Sequence, residues 1–386
     1  MKLISIYYIL IITLLPPLYW LLLKEQNKKY FLAIISILCV TFFFPFSALF
    51  MGLVSLLVFF LLKFIRLKKK GIIALLPLAF FLAYKIINKN LPDTGNNLLN
   101  LIGISFFSLK IIHFCIDYSN GQIKDLNFFN FMFYLFFFPI FTAGPIIRYE
   151  EFTDNLIDNR PEISEIKKGT RRIALGFFKK LILLFPFFIQ NEYSLRNGLI
   201  QTSPKMGLAL LIYSFYIYWD FSSYTDIAIG TSLLFNYKVP ENFQTPYFKR
   251  NISLFWQNWH ITLTRWLQNY IFVPLSKRSI RHIHPKFFII GNGVSQMITM
   301  LLCGFWHGSG LNYILWGGYH GLGLFGHTLY KNSISSERKI KNRTLKSICH
   351  LLYTALTFLF VTAGWVFFSA PAQIALRNFT VLLGIK

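Results

Sequence analysis

Residues 31–64 read FLAIISILCVTFFFPFSALFMGLVSLLVFFLLKF, with Lys63 the one charged side chain and Pro45 near the centre. A membrane-spanning helix needs about 20 mostly apolar residues, so this run predicts a hairpin of two short spans turning at Phe44-Pro45. Residues 3–23 before it carry the same signal. Residues 72–87, 128–141, 173–189, 207–220, 287–303, 313–329 and 347–368 repeat it downstream. Together they predict an all-α, polytopic integral membrane protein with about nine to eleven spans, joined by re-entrant or interfacial helices. Composition agrees. Of 386 residues, 55% are hydrophobic and 14% charged, against about 25% charged in soluble domains. Forty-four phenylalanines and twenty tyrosines are more apolar mass than a soluble core of this size hides.

The net charge of +24 does not point to nucleic acid. Its basic residues sit in short loops between apolar runs, as the positive-inside rule describes. Lys24, Lys28 and Lys29 follow the first run; Lys63, Arg66, Lys68, Lys69 and Lys70 follow the hairpin. Two spans lie between these clusters, which puts both on the cytoplasmic side and the N-terminus outside. Only Lys2 precedes the first run and no small-residue cleavage site follows it, so it reads as a retained membrane helix and not a cleaved signal. Cys39, Cys115, Cys303 and Cys349 are isolated in apolar surroundings, which predicts small buried hydrophobes and neither disulfides nor a metal site.

No internal repeat or extramembrane domain is evident, so the expectation is one membrane-embedded domain over 1–386. Residues 1–90 supply spans and 103–386 carry the chemistry. A polar turn falls at Pro92-Asp93-Thr94-Gly95. In residues 103–117 the apolar run holds Lys110, His113 and Asp117, which predicts burial in protein and not contact with lipid. Residues 150–172 form the longest polar stretch, predicted to be interfacial with Lys167, Lys168, Arg171 and Arg172 near anionic lipid headgroups. Residues 331–346 read as a basic loop, and His282 and His284 as members of another one.

Ionisable side chains inside apolar segments are costly and therefore functional candidates. They concentrate between Tyr213 and His327. His307 stands between Trp306 and Gly308 at the end of an apolar run, where a neutral imidazole can take a proton from a hydroxyl. The plainer reading is a buried histidine bonded to a backbone carbonyl. His260 follows Trp256 by four residues, so the two share a face if the stretch is helical; the plainer reading is interfacial anchoring. Asp220 and Asp226 form a carboxylate pair or, more ordinarily, anchor helices through Lys or Arg. His320 and His327, seven apart on one helical face, read as packing or as lining a polar lumen. No nucleotide loop, zincin motif or GxSxG elbow is present. The residues alone leave acyl transfer and proton-coupled transport both open.

Several ordered segments carry a resemblance. Ala143-Gly144-Pro145-Ile146-Ile147-Arg148-Tyr149, Gly176-Phe177-Phe178-Lys179-Lys180, Tyr218 to Gly230, Pro240-Glu241-Asn242-Phe243, Phe255 to Leu263, Gly304-Phe305-Trp306-His307-Gly308 and Gly364-Trp365-Val366-Phe367-Phe368 resemble motifs of the membrane-bound O-acyltransferases. The resemblance is to the bacterial branch that holds the alginate O-acetyltransferase membrane subunit. It implies that His307 takes the place of the family's essential histidine, in a tunnel where a cytoplasmic acyl donor meets an acceptor from outside, and that His260 takes that of the second. Trp256, Asn258, Trp306 and Asn312 would line or brace that site. It also implies a thioester donor, acetyl-CoA in the first instance, with no bound cofactor. The acceptor would be an extracytoplasmic glycan, and a separate periplasmic or extracellular transferase would be the partner. Departures are Gln268-Asn269 where the branch often has Arg-Asp, Gln257-Asn258 where it has Arg-Arg, and fewer residues after the GWVFF element. The rivals are a D-alanine carrier for teichoic acid, a transporter or flippase without acyl chemistry, and an envelope scaffold.

Overall fold

A computed structural model describes residues 6–65, 70–89, 101–154, 163–282, 284, 287–334 and 343–385. Pro92–Gly95, Arg66, Lys68, Lys69 and the middle of the 331–346 loop lie outside the described residues. Among those described, the chain is helical, and the one β-type pair is an isolated antiparallel bridge between Phe243 and Trp259. The helices are α1 (Ile6–Leu21), α2 (Glu25–Phe43), α3 (Pro45–Phe64), α4 (Leu75–Lys89), α5 (Ile104–Ser119), α6 (Phe128–Phe136), α7 (Tyr149–Asp154), α8 (Ile163–Ile182) and α9 (Pro186–Arg196). They continue with α10 (Ser203–Leu234), α11 (Ile252–Asn258), α12 (Ile261–Leu267), α13 (Val273–His282), α14 (Phe288–His307), α15 (Leu311–Ile334), α16 (Arg343–Ser369) and α17 (Ala372–Leu382). The fold is an all-α, polytopic membrane protein.

The hairpin of residues 31–64 forms as its sequence dictates. Phe44 leaves the helical region (φ −141°, ψ 61°) and Pro45 opens α3, a first-turn position where its missing N–H costs nothing. On α3 one face is buried (Met51, Val54, Ser55, Val58, Leu62) while Leu49, Leu53, Leu57, Phe60 and Phe64 are exposed. An exposed face made of large apolar side chains suits lipid.

By length and composition, among the described residues, α3, α14 and residues 344–369 of α16 are long and apolar enough to cross a membrane, and α8 with α9, bent by 63°, make up to a fourth. Tyr7–Leu21 and Gly71–Ile87 are shorter apolar helices. This is fewer than the nine to eleven spans expected, and the reasons are local. Residues 128–141 break after Phe136, with Pro139 in a 3-10 turn over Phe138–Ile140. α2 carries Glu25, Lys28 and Lys29 in its first turns, and α15 carries five glycines and two histidines along its length.

The chain packs as two compact units, Met1–Phe178 with Ser223–Glu241, and Lys179–Ser222 with Asn242–Lys386. In the first, α8 crosses the last turns of α10 backbone to backbone. A Cβ on Gly169 would stand 2.8 Å from the Gly230 carbonyl, and one on Gly176 would stand 2.7 Å from the Ser223 carbonyl. Small residues allow such an approach where helices pack without water. The crossing is clamped by Arg172, whose Nε donates to Asp226 Oδ1 at 3.1 Å and whose two terminal nitrogens donate to Glu241. Arg172 is half-buried against these carboxylates, unlike exposed Lys167, Lys168 and Arg171. Lys110, His113 and Asp117 are buried, as their setting in an apolar run predicted. Tyr134 bonds His113 Nε2 at 3.1 Å and donates to the Ile147 carbonyl at 2.9 Å.

In the second unit, α14 and α15 form a close antiparallel hairpin. A Cβ on Gly304 would lie 2.1 Å from the Tyr313 carbonyl oxygen, and one on Gly317 would lie 2.3 Å from that of Met300. Gly321 repeats the contact against Met297. Gly304, Gly317 and Gly321 are thus packing residues first. By removing side chains between the helices they bring the end of α14 onto the face of α15.

Candidate active site

His307 is the last residue of α14, and the chain leaves the helix through extended Gly308 (φ −166°, ψ 161°). Its half-buried ring meets Trp306 at 4.8 Å, Trp316 at 5.2 Å and Phe368 at 5.2 Å, each edge to face. Trp306 in turn meets the His260 ring at 6.1 Å, so one indole stands between the two imidazoles. On the other side, Trp316 touches His320 at 5.0 Å and Trp256 at 5.7 Å and stacks on Trp365 at 6.0 Å. α11, α14, α15 and α16 each contribute rings to this nest. The glycine-mediated approach of α14 to α15 is what allows it.

His260 reaches the nest by an unusual backbone. It is left-handed (φ 43°, ψ 53°) and separates α11 from α12. For an L-residue that region costs about 1–2 kcal/mol and persists only where neighbours enforce it. Here the enforcing element is the Asn242–Gln244 segment. The Asn242 carbonyl accepts from Ile261 N–H at 2.9 Å, and the Gln244 N–H donates to the Asn258 carbonyl at 3.1 Å. Asn242 Oδ1 accepts from the Thr262 hydroxyl at 2.7 Å and from its N–H at 3.3 Å. The break corrects one expectation. Trp256 and His260 do not share a helical face: Trp256 packs on Trp316 and His320, while His260 packs on Phe221 at 4.5 Å.

The other candidates distribute as follows. Buried Asn312 opens α15, with Oδ1 lying where a side chain on Gly310 would be (2.3 Å). Asn258 donates to the Leu254 carbonyl at 2.8 Å, a bond within its own helix. Asp220 and Asp226 do not form a carboxylate pair: Asp220 takes Lys180, and Asp226 takes Arg172. His320 is the residue that sequence reasoning placed among packing groups and the structure places in the nest. The signal was present in Trp316-Gly317-Gly318-Tyr319-His320, whose i, i+4 spacing stacks an indole and an imidazole on one helical face. Among the described residues no group of three His, Cys, Asp or Glu side chains is placed to hold a metal ion.

An imidazole half-open at a helix end can exchange a proton with an entering hydroxyl, and flat aromatic walls suit an apolar acyl group. Comparison with known proteins gives this chemistry its context. The chain is 30% identical over 297 residues to the probable alginate O-acetylase AlgI of Pseudomonas aeruginosa, covering 75% of this chain and 53% of that protein. It is 31% identical to the peptidoglycan O-acetyltransferase of Helicobacter pylori over 80% of this chain and 61% of that one. It is also 30% identical to the teichoic acid D-alanyltransferase of Streptococcus thermophilus, covering 71% and 68%. The chain spans about half the length of the alginate relatives it matches. Residues 22–361 match the sequence profile of the membrane-bound O-acyltransferase family, and the chain belongs to that family.

Proposed function

We propose that the protein is an O-acyltransferase that moves an acetyl group from a cytoplasmic thioester, acetyl-CoA, toward an extracytoplasmic polysaccharide, with His307 as general base. The observation that carries the assignment of His307 is its position in a chain of this family. It is an accessible imidazole at a helix end, ringed by aromatic side chains and one indole away from His260. In the reaction the imidazole nitrogen takes the proton of the acceptor hydroxyl while its oxygen attacks the thioester carbonyl. The tetrahedral oxyanion needs a donor, and His260 and Asn312 are the groups we assign to that neighbourhood. When the intermediate collapses, the C–S bond breaks and the thiolate takes the proton from the imidazolium. Asn258, Asp220 and Asp226 act structurally in this account. A separate periplasmic or extracellular transferase would receive or direct the acyl group, in the inner membrane with the N-terminus outside.

Acyl identity is the branch point. The acetylating and D-alanylating relatives match at nearly the same identity, which favours neither group. Mild alkaline release of esters from envelope glycans of wild-type and deletion cells separates them. Acetate lost with the deletion supports the proposal, and D-alanine lost instead establishes the second reading. An envelope that loses neither ester points to a different acyl group or to the transport reading.

A further inference from the structure

Three polar side chains behind His307 lie deeper than the proposed chemistry uses. His320 is 0% exposed, Trp316 1% and Trp256 5%. Both ring nitrogens of His320 and the indole nitrogens of Trp256 and Trp316 have no hydrogen-bond partner among the described residues. Their rings meet pairwise, His320 with Trp256 at 5.3 Å, His320 with Trp316 at 5.0 Å and Trp256 with Trp316 at 5.7 Å. A buried donor or acceptor is rarely left without a partner, and four such atoms on three touching rings form a cluster that calls for a shared one. Glycine at 364 lets α16 approach this cluster closely: a Cβ there would stand 2.9 Å from Tyr319 Cε1 and 3.0 Å from His320 Nε2.

The atoms define the guest. An indole N–H only donates, and a neutral imidazole offers one donor and one acceptor. The guest must accept from indoles and donate to or accept from the imidazole, which a water molecule does with 2–4 partners. Indole nitrogens are not metal ligands, which disfavours a metal ion. We propose that Trp256, Trp316 and His320 form a second, buried polar subsite that binds a water molecule and thereby fixes the Trp316 indole against His307. His320 is then a positioning residue. This function of the subsite rests on the reading of His307 as the base.

The test uses the full chain in detergent, labelled with 5-fluorotryptophan, with the Trp316 fluorine resonance assigned through Trp316→Phe. In wild type the Trp316 resonance is expected to respond to exchange of H2O for D2O. His320→Phe should abolish that response, shift the resonance, and lower kcat for acyl transfer about tenfold with KM unchanged. His320→Gln, which keeps a donor and an acceptor, should restore most of both. If His320→Phe does not accumulate, Gly364→Ala, which crowds Nε2, should give the same spectral and kinetic change. A Trp316 resonance blind to isotope and to these substitutions overturns the subsite. So does a glutamine variant as impaired as the phenylalanine one. Activity retained by His307→Ala would instead overturn the reading of the base, and the fluorine measurement would still decide the subsite.

Discussion

Gly304→Ala tests whether close approach of α14 to α15 places His307. The added Cβ would stand 2.1 Å from the Tyr313 carbonyl oxygen, and 3.4 Å is the near edge of ordinary contact. The helices must therefore part by roughly 1 Å at the residue three positions before His307. Overpacking of this kind costs about 1–3 kcal/mol, and replacing a helical glycine with alanine returns about 1 kcal/mol. Net destabilisation is thus within about 2 kcal/mol, and the protein should still insert and fold. Catalysis is less tolerant: a displacement of about 1 Å costs about 100-fold in rate. The assay is acyl transfer in membrane vesicles at matched protein level, alongside the thermal midpoint in detergent. Gly326→Ala on α15 is the control, since a Cβ there meets nothing within 4 Å. The expected pattern is a near-normal midpoint with about 100-fold lower activity for Gly304→Ala, and no loss for Gly326→Ala. Gly304→Ala with wild-type activity would refute the argument that glycine packing sets the site.

Other outcomes follow from the same geometry. Asn242→Ala removes both bonds from Thr262 to Oδ1 and should destabilise by about 1–3 kcal/mol, with limited proteolysis gaining a cut near His260. His260→Asn should keep the fold, because asparagine tolerates the left-handed backbone, while acyl transfer falls at least about tenfold; unchanged turnover removes His260 from the site. Asp226→Asn removes one of the two negative charges that Arg172 meets and should cost about 1–3 kcal/mol, read as a lower thermal midpoint. Adding Arg172→Leu should cost less than the sum of the singles, because both act through one network.

Much of this fold was legible. The turn at Phe44-Pro45, the burial of Lys110, His113 and Asp117, and the end of an apolar helix at His307 all follow from hydropathy, proline and the cost of charge in an apolar run. What was not legible depended on distant segments. The left-handed turn at His260 is imposed by Asn242–Gln244, nearly twenty residues upstream, and no local signal at His260 announces it. Arg172 reads as one more basic residue of an amphipathic helix until Asp226 and Glu241 arrive from elsewhere in the chain. The cysteines read correctly as small buried groups for three of the four; Cys349 is half-buried, and all four are free. His320 was read as packing or lumen-lining and not as part of the site, and only its neighbours show that two indoles pack against it.

The most direct test of the central claim is the O-acetyl content of envelope glycan in cells carrying His307→Ala, measured beside wild type and a deletion at equal membrane expression. The account predicts a fall to the deletion level, since removal of the base leaves the acceptor hydroxyl unactivated. Wild-type acetylation in the His307→Ala cells would contradict it.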